Sequence, residues 1–560
     1  AGVCDRFECF FLSDTNNPER ALAEEAVFDA LREARPELTF HYRRRTINRV
    51  RKSGNIEDFV HRWGDRYDYM IVFDADSLMS ADAICELVRR MDNQPATALI
   101  QTLPTLIRAQ TLFARTQQFA MRAYGPIFGA GLSWWSGGAG NYWGHNAIIR
   151  VAAFAAHAGL PDLPGKAPLG GPILSHDFVE AALLRRAGWR VEIAWDIAGS
   201  YEQSPPTLAD MMARDARWIQ GNLQHIRVLG ARGFDGLSRL HIASGVMGYG
   251  SSLLWALLLI VGIVLAAGED PGLSYFSDDS PYPMWPVSDA GNGMSLALLT
   301  AVVVLAPKWL SLLLWIAGRL PGWSRSWRFP VGMFIELLLS AVMAPVQMVS
   351  QTIGIVRTLL GHDGGWASQN REGGRFDWAG AFRLFAPHMA IAAAIGVCAL
   401  VFDAPELVWT LPLALPLLAA APTSFLVAQR LSPSSVLFQT MLIPEERTVP
   451  SVQIASEQAR GRLVACDTAS FQDAVQSEER SRSRRDLVDG HWPLGADDVH
   501  TPTGLVLARL EHALRDHRPV GALTPAERMA VLNNPRLARQ LRKATKQTES
   551  APNEPEKARV

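Results

Sequence analysis

The sequence predicts an α/β domain of mostly parallel sheet over residues 1–235, followed by an α-helical transmembrane region (236–430) and a partly helical cytosolic tail (431–560). Three observations predict it. Short β-type runs alternate with helical stretches in the first third. Apolar residues dominate from about 240 to 428. Beyond 430 the chain turns polar and highly charged.

In the first third, Cys9–Ser13, Tyr69–Phe73 and Ala98–Gln101 are apolar runs of strand length, and Pro18–Arg35 and Ala81–Met91 carry apolar residues at helical spacing. Strands that alternate with helices build parallel sheets covered on both faces. Such sheets bind ligands at the carboxyl ends of their strands, so polar residues just after strands become the first candidates.

The solvent changes at Ile242. Residues 243–267 and 294–317 are each long enough to span a bilayer, which takes about 20 apolar residues, and a pair follows at 384–402 and 406–428. The stretch 331–357 is apolar too, with Pro345 at its middle. The loop 268–293 carries Glu269, Asp270, Asp278, Asp279 and Asp289 with no Lys or Arg. Residues 318–330 and 357–383 are rich in arginine. The positive-inside rule places the acidic loop outside, and both basic loops, the first domain and the tail in the cytosol. That parity requires 331–357 to enter and leave on one side, as an interfacial or re-entrant segment broken at Pro345.

Composition narrows the classes further. A net charge of −1 gives no basic excess for nucleic acid, and a mean hydropathy of +0.05 averages unlike regions. The 5 cysteines are scattered without a C-x-x-C pair, which argues against a disulfide scaffold or a structural zinc site. The N-terminal residues carry Asp5, Arg6 and Glu8 and form no signal peptide. With no initiator Met and a strand-like run almost at once, the chain is expected to begin inside a domain. In the tail, Thr524-Pro525-Ala526-Glu527 predicts a capped helix start, and Lys543–Val560 reads as disordered.

The sharpest chemical signal is Met70-Ile-Val-Phe-Asp74-Ala-Asp76-Ser77, two carboxylates at i and i+2 after a buried strand. A hard divalent cation wants oxygen ligands and keeps water and phosphate in its shell, so this pair suits Mg²⁺ or Mn²⁺ bridging to a nucleotide diphosphate. A solvated turn is the plainer reading of D-x-D alone. Upstream, Ser13-Asp14 ends another strand, and Lys52-Ser-Gly54-Asn55 offers a cation, a flexible backbone and an amide. The run Arg43-Arg44-Arg45 reads equally as a phosphate contact or a solvated basic face. Asp177 follows the apolar run Ile173-Leu-Ser, either as a functional carboxylate or as the N-cap of a helix Phe178–Ala187. Arg214, Arg217 and Trp218 share one side of a helix shortly before the first membrane segment, where snorkelling arginines and an aromatic anchor are the ordinary reading.

In that order, D, K-x-G-N, D-x-D, a lone acidic residue and R-x-x-R-W, followed by membrane helices, resemble the inverting processive synthases that include cellulose and hyaluronan synthases. Closer still, Ser53–Ile56, Val72–Ser77, Tyr142–Arg150, Ile173–Leu183 and Leu442–Glu446 resemble the glucosyltransferase H branch of osmoregulated periplasmic glucan biosynthesis. The likeness runs from about residue 8 to about 450. Ser175-His176-Asp177 stands where processive synthases usually show T-E-D, and Arg214 where they show Gln; both suit the glucan branch.

The resemblance implies a UDP-glucose-dependent, metal-dependent glucosyltransferase of the bacterial inner membrane that extends a β-glucan and passes it across. It implies that Asp14, Lys52 and Asn55 hold the uridine diphosphate, and that Asp74 and Asp76 bind the substrate diphosphate, with Asp76 the metal ligand. It implies Asp177 as general base, Arg217 against the leaving diphosphate, and Trp218, His145 and Asn146 in acceptor binding. Membrane lipids, the growing glucan and acyl carrier protein are the implied partners. The family's first strand and earlier membrane helices are absent, so the chain as it stands is expected to be inactive. A transferase that adds single sugars to a lipid, or a non-catalytic polytopic scaffold, are the competing readings.

Overall fold

Asn17 caps the first helix by accepting from the Arg20 amide, and Pro18 at its first position needs no hydrogen bond. The computed structural model built on such local rules describes residues 6–45, 47–268, 290–363, 377–401, 410–463, 470–476, 512, 515 and 523–549. Residues 1–62 with 454–560 form one compact unit, and 63–453 form another.

In the first unit, β1 (Glu8–Ser13) and β2 (Thr39–Arg44) pair in parallel, joined through α1 (Pro18–Ala34), and α2 (Arg51–Trp63) follows. Helix α1 buries Ala21, Leu22, Glu25 and Phe28, one stripe at helical spacing. The arginine run is neither a solvated face nor an open phosphate site. Arg43 pairs with Asp58 at 2.9 Å, Arg44 with Glu25 at 2.7 Å and Arg45 with Asp14 at 2.6 Å. The guanidinium of Arg44 is fully buried, and burial at that cost demands a paired charge.

The tail contributes to this unit. Helix Pro525–Asn533 starts at the expected capping box of Thr524 and Glu527. Its Met529 and Leu532 pack with Ala21 and Leu22 of α1. Arg44 reaches Asn533 at 3.2 Å and Arg528 reaches Glu19 at 2.8 Å. Helix Pro535–Glu549 packs beside it through Leu537, Ala538 and Leu541. Residues 543–549 are therefore helical, not disordered, because a buried apolar stripe upstream carries the helix on past its hydrophobic part. Residues 550–560 lie outside the described residues.

The second unit holds a mixed sheet, which corrects the expectation of a mostly parallel one. Strands β3 (Tyr69–Val72), β5 (Thr97–Thr102), β7 (Ala147–Arg150) and β8 (Arg190–Ala194) stand in the order β3-β7-β5-β8. Strand β7 runs antiparallel to both neighbours, while β5 and β8 are parallel. The alternation rule missed β7 because the antiparallel direction of a four-residue strand leaves no signal in the local pattern. A second, three-stranded sheet joins β4 (Leu78–Met79), β9 (Ser200–Glu202) and β6 (Thr105–Leu106) in the order β4-β9-β6. Between these strands lie α3 (Ala81–Asn93), α4 (Leu112–Ser136), α5 (Val151–His157) and α6 (His176–Arg186); α7 (Leu208–Val228) follows β9. Every residue of β5 is buried, as a central strand requires.

The helical region comprises α8 (Gly236–Gly268), α9 (Ala290–Val304), α10 (Ala306–Ile316), α11 (Arg328–Leu359), α12 (Trp378–Val401), α13 (Leu411–Leu418) and α14 (Ala420–Val427). Among the described residues, three helices are long and apolar enough to cross a membrane, Gly236–Leu265, Arg328–Leu359 and Trp378–Cys398; α9 and α10 form a further pair bent by 60°. The expected break therefore falls at Leu305, and not at Pro345. Residues 331–357 lie in one continuous helix of 32 residues with Pro345 buried inside it. Charge parity alone argued against a crossing there; the length permits one, and packed neighbours let a membrane helix tolerate proline. The stretch 406–428 is two short helices over its described part. Most of the acidic loop and residues 364–376 of the second basic loop lie outside the described residues.

One buried carboxylate ties these helices to α4 and to each other. Glu336 of α11 is buried, accepts from Tyr124 at 3.0 Å and meets Lys308 of α10 at 2.6 Å. The Leu-Ile-Pro-Glu-Glu motif also serves α4, since Glu445 pairs with Arg122 at 2.7 Å and Glu446 with Arg115 at 2.8 Å. Arg115 is fully buried and stacks on the Phe438 ring at 3.6 Å. We expect Arg115→Met to destabilise the protein by about 3–5 kcal/mol, because it strands a largely buried carboxylate. Thermal unfolding of the detergent-solubilised protein checks this. Adding Glu446→Leu to that variant should recover most of the loss.

Candidate active site

Strand β3 ends at Val72, and the chain turns at Phe73-Asp74-Ala-Asp76. Ser77 closes the turn by donating its amide to the Asp74 carbonyl at 2.9 Å, while its hydroxyl accepts from the Asp74 amide at 3.1 Å. Two neighbouring residues hold this turn. The Asn146 amide donates to the Val72 carbonyl at 2.8 Å. Its side chain donates to Ser200 Oγ at 2.8 Å and to the Tyr201 carbonyl at 3.2 Å. Asn146 adopts a left-handed φ of 51°, a conformation asparagine tolerates better than most residues. Fully buried with its amide committed, Asn146 positions the turn and offers no side-chain atom to an acceptor.

His145, next to it, lies 3.4 Å from Ser77 Oγ and 3.3 Å from the Glu202 carboxylate at the end of β9. Glu202 is a site residue the sequence reading missed. Burial pushes its carboxyl up; His145 opposes this, and the charges of Asp76 and Asp74 add to the upward push. Asp74, Asp76 and Glu202 therefore share one locality, with Arg214 of α7 near enough to act on Glu202 as well. The signal that could have found Glu202 is its place just after a strand, in Ser200-Tyr-Glu, the same logic that singled out Asp76.

Asp177 stands in the first turn of α6, one residue inside the helix, whose N-cap is Ser175. It is thus not the cap, although an acidic residue there suits the helix dipole. Tyr142 connects it to the β3 turn. The phenol is fully buried; burial pushes its pKa well up, and the charges of Glu180, Asp177 and Asp74 add to it. Its hydroxyl is buried without a hydrogen-bond partner. Glu180, one turn below Asp177, is held by His176 at 2.9 Å, with both side chains buried. Asp74, Asp76, Asp177 and Glu202 are consequently one acidic neighbourhood around Tyr142 and His145.

Helix α7 carries the arginine–tryptophan motif. Arg214 lies over the Trp218 ring at 4.3 Å from its centre, and Trp218 remains 48% exposed. Arg217 is half-buried on the same helix.

Among the described residues, no group of three or more His, Cys, Asp or Glu side chains is arranged to hold a metal. The donor set still fits a hard divalent cation of the Mg²⁺ kind, which takes one or two carboxylates and fills its shell with water and phosphate oxygens. The charge of Asp76 beside Asp74 and Glu202 would provide the attraction.

In the first unit, Asp14 is committed to Arg45 through both its oxygens, at 2.7 and 2.6 Å. Asn55 donates to the Leu12 carbonyl at 3.0 Å and leaves its own Oδ1 buried without a partner. Lys52-Ser-Gly54-Asn55 is the first turn of α2, not a flexible loop. Gly54 is required by packing, since a Cβ there would collide with the Arg49 carbonyl. Val50 and Arg51, at φ 57° and 54°, turn the chain into this helix at a conformational cost.

Residues 69–340, which span the β3 turn, Asp177 and α7, match glycosyl transferase family group 2. A glucans biosynthesis glucosyltransferase H from Shewanella oneidensis is 43% identical over 462 residues, covering 81% of this chain and 63% of that protein. One from Shewanella sp. ANA-3 is 43% identical over 465 residues, covering 82% of this chain and 64% of that protein. One from Shewanella sp. W3-18-1 is 39% identical over 550 residues, 97% of this chain and 76% of its own length. The chain thus spans less than two thirds of the first two relatives. The identity over that length leads to one conclusion: the chain belongs to the glucans biosynthesis glucosyltransferase H family, among the group 2 glycosyl transferases.

Proposed function

We propose that the protein carrying this chain transfers glucose from UDP-glucose to a growing β-glucan with inversion, and does so processively at the bacterial inner membrane. The observation that carries this reading is the acidic neighbourhood of Asp74, Asp76 and Asp177, together with a helix that presents Arg214, Arg217 and Trp218.

Asp177 takes the proton from the acceptor hydroxyl as its oxygen bonds to the anomeric carbon and the diphosphate departs. An inverting displacement of this kind forms no covalent enzyme intermediate, so one base suffices. The leaving diphosphate gains negative charge, and Arg217 offsets it. Asp76, with Asp74 beside it, would hold a Mg²⁺ or Mn²⁺ ion, which when bound supplies positive charge to the diphosphate oxygens. Trp218 gives the acceptor sugar an aromatic floor, with the Arg214 guanidinium on its ring. His145 and Asn146 shape the floor of the turn that carries Asp76. In the first unit, Asp14, Lys52 and Asn55 are proposed to serve the uridine moiety, supported by the resemblance and by the unpaired Asn55 Oδ1. Residues 1–235 face the cytosol in this reading, which rests on the acidic loop 268–293 and the arginine-rich residues 318–330, and the tail, packed on α1, lies on the same side.

The test is donor choice. Membranes bearing the native protein should incorporate glucose from UDP-glucose far better than sugar from UDP-galactose or UDP-N-acetylglucosamine. Equal use of all three, or none of UDP-glucose, would refute the assignment.

A further inference from the structure

The segment 168–175 leads into the helix of Asp177, and it has neither a sheet nor a helix of its own to satisfy its backbone polar groups. Backbone bonds to Lys166 and Leu163 serve Gly170 and Gly171, and side chains of α7 serve Pro168, Pro172, Leu174 and Ser175. Gln224 Oε1 accepts from the Leu174 amide at 2.9 Å, and Gln224 Nε2 donates to the carbonyls of Pro172 at 3.2 Å and Pro168 at 3.3 Å. Gln220 donates to the Pro168 carbonyl at 3.3 Å. His225 lies with Nε2 2.8 Å from the Ser175 carbonyl. A carbonyl can only accept, so Nε2 carries the proton, and Nδ1 is buried with its lone pair unpartnered. All three side chains are at least 97% buried. Gly221 completes the clasp, since a Cβ there would come within 2.8 Å of the Ser175 amide nitrogen.

The placing of these residues on α7 gives the clasp its meaning. Arg214, Trp218, Gly221 and His225 recur at i, i+4, i+7 and i+11, so they form one stripe of the helix. The end of that stripe seats the start of α6, and its beginning presents the arginine and tryptophan. The charge of Asp177 reaches His225, and the Phe178 ring lies 5.7 Å from the imidazole. Burial pushes the imidazole pKa down, which keeps the ring neutral beside the base.

We propose that His225 is a positioning residue for Asp177. By holding the Ser175 carbonyl, it registers the proton-accepting carboxylate against Arg217 and Trp218, the donor and acceptor contacts on the same helix. The proposal rests on the base role given to Asp177 above. It explains why a buried helix face spends polar residues on Gln220, Gln224 and His225, where apolar ones would pack as well.

The test compares His225→Phe with His225→Gln in the native membrane protein. Gln can place a donor nitrogen near the Nε2 position, whereas Phe fills the space and leaves the Ser175 carbonyl without its partner. His225→Phe is expected to lower kcat by roughly 10- to 100-fold, the effect of a misplaced reacting group, with KM for UDP-glucose within about threefold. His225→Gln should recover kcat to within about threefold. A second variant, Gly221→Ala, pushes on Ser175 without deleting a hydrogen bond and should also lower kcat at unchanged KM. A His225→Phe enzyme with undiminished kcat, or a Gln variant no better than Phe, would overturn the proposal. Hydrogen exchange at amides 174–178 separates this inference from the functional reading. Whatever sugar the wild-type protein takes, exchange should rise in His225→Phe and not in His225→Gln. Unchanged exchange in both removes the clasp itself.

Discussion

Asp177→Asn in the native protein is expected to lose at least about 10²-fold in glucosyl transfer, the usual effect of removing a general base, and to lose little stability. The stability estimate follows from where Asp177 sits. It occupies the first turn of α6, inside the Ser175 cap position. The substitution therefore removes only the helix-dipole benefit of a negative charge there, worth about 0.3–1 kcal/mol. Affinity for UDP should stay close to that of the wild type, because a base acts on the acceptor hydroxyl. Measured kcat, UDP affinity and thermal unfolding together check the claim. A variant that transfers glucose at the wild-type rate would return Asp177 to a structural role. A variant that loses activity through unfolding would show that the charge holds the fold.

Asp76→Asn is expected to reduce transfer by at least about 10²-fold as well, and chelation of divalent cations should do the same to the wild-type protein. Positive charge at a departing diphosphate is worth several kcal/mol, and about 1.4 kcal/mol is a factor of ten in rate. Two arms make the prediction specific. Readdition of Mg²⁺ or Mn²⁺ should restore the chelated wild-type protein. The same readdition should leave Asp76→Asn far below it. Full turnover in a chelator would contradict the assignment of Asp76, while leaving that of Asp177 intact. Glu202 offers a control from the same locality. Its carboxyl is raised by burial first and by Asp76 second, so Asp76→Asn should let it ionise at lower pH.

The carboxylates after strands were legible because they combine a local rule with a pattern. An apolar run ending in Asp-Ala-Asp needs nothing distant to be seen, and β1, β3 and β5 fall where the apolar runs predict. The partners of those carboxylates were not legible. Glu202 and Tyr142 reach Asp74 only through tertiary folding, and a lone Glu after a three-residue strand looks like any other. The arginine run misled for a related reason: charge alone reads as solvated, whereas Asp14, Glu25 and Asp58, each far from its partner in sequence, make burial possible. Strand β7 was hidden inside a long family match, and its antiparallel direction has no local signal. In the membrane region parity was trusted too far. Leu305 bends the chain without a proline of its own, although Pro307 follows closely, while Pro345 sits in an unbroken helix. Proline marks a break only where neighbouring helices fail to support the freed carbonyl.

The central claim is that this acidic neighbourhood, with α7 beside it, extends one chain repeatedly. The most direct measurement is the size of the product when only a small fraction of UDP-glucose has been consumed by membranes bearing the native protein. A processive enzyme holds its acceptor between additions, so long glucans should be present from the earliest time points beside unused acceptor. Products that carry a single added glucose, or that lengthen together in step with donor consumed, would contradict the account and favour a transferase that releases its acceptor after each sugar.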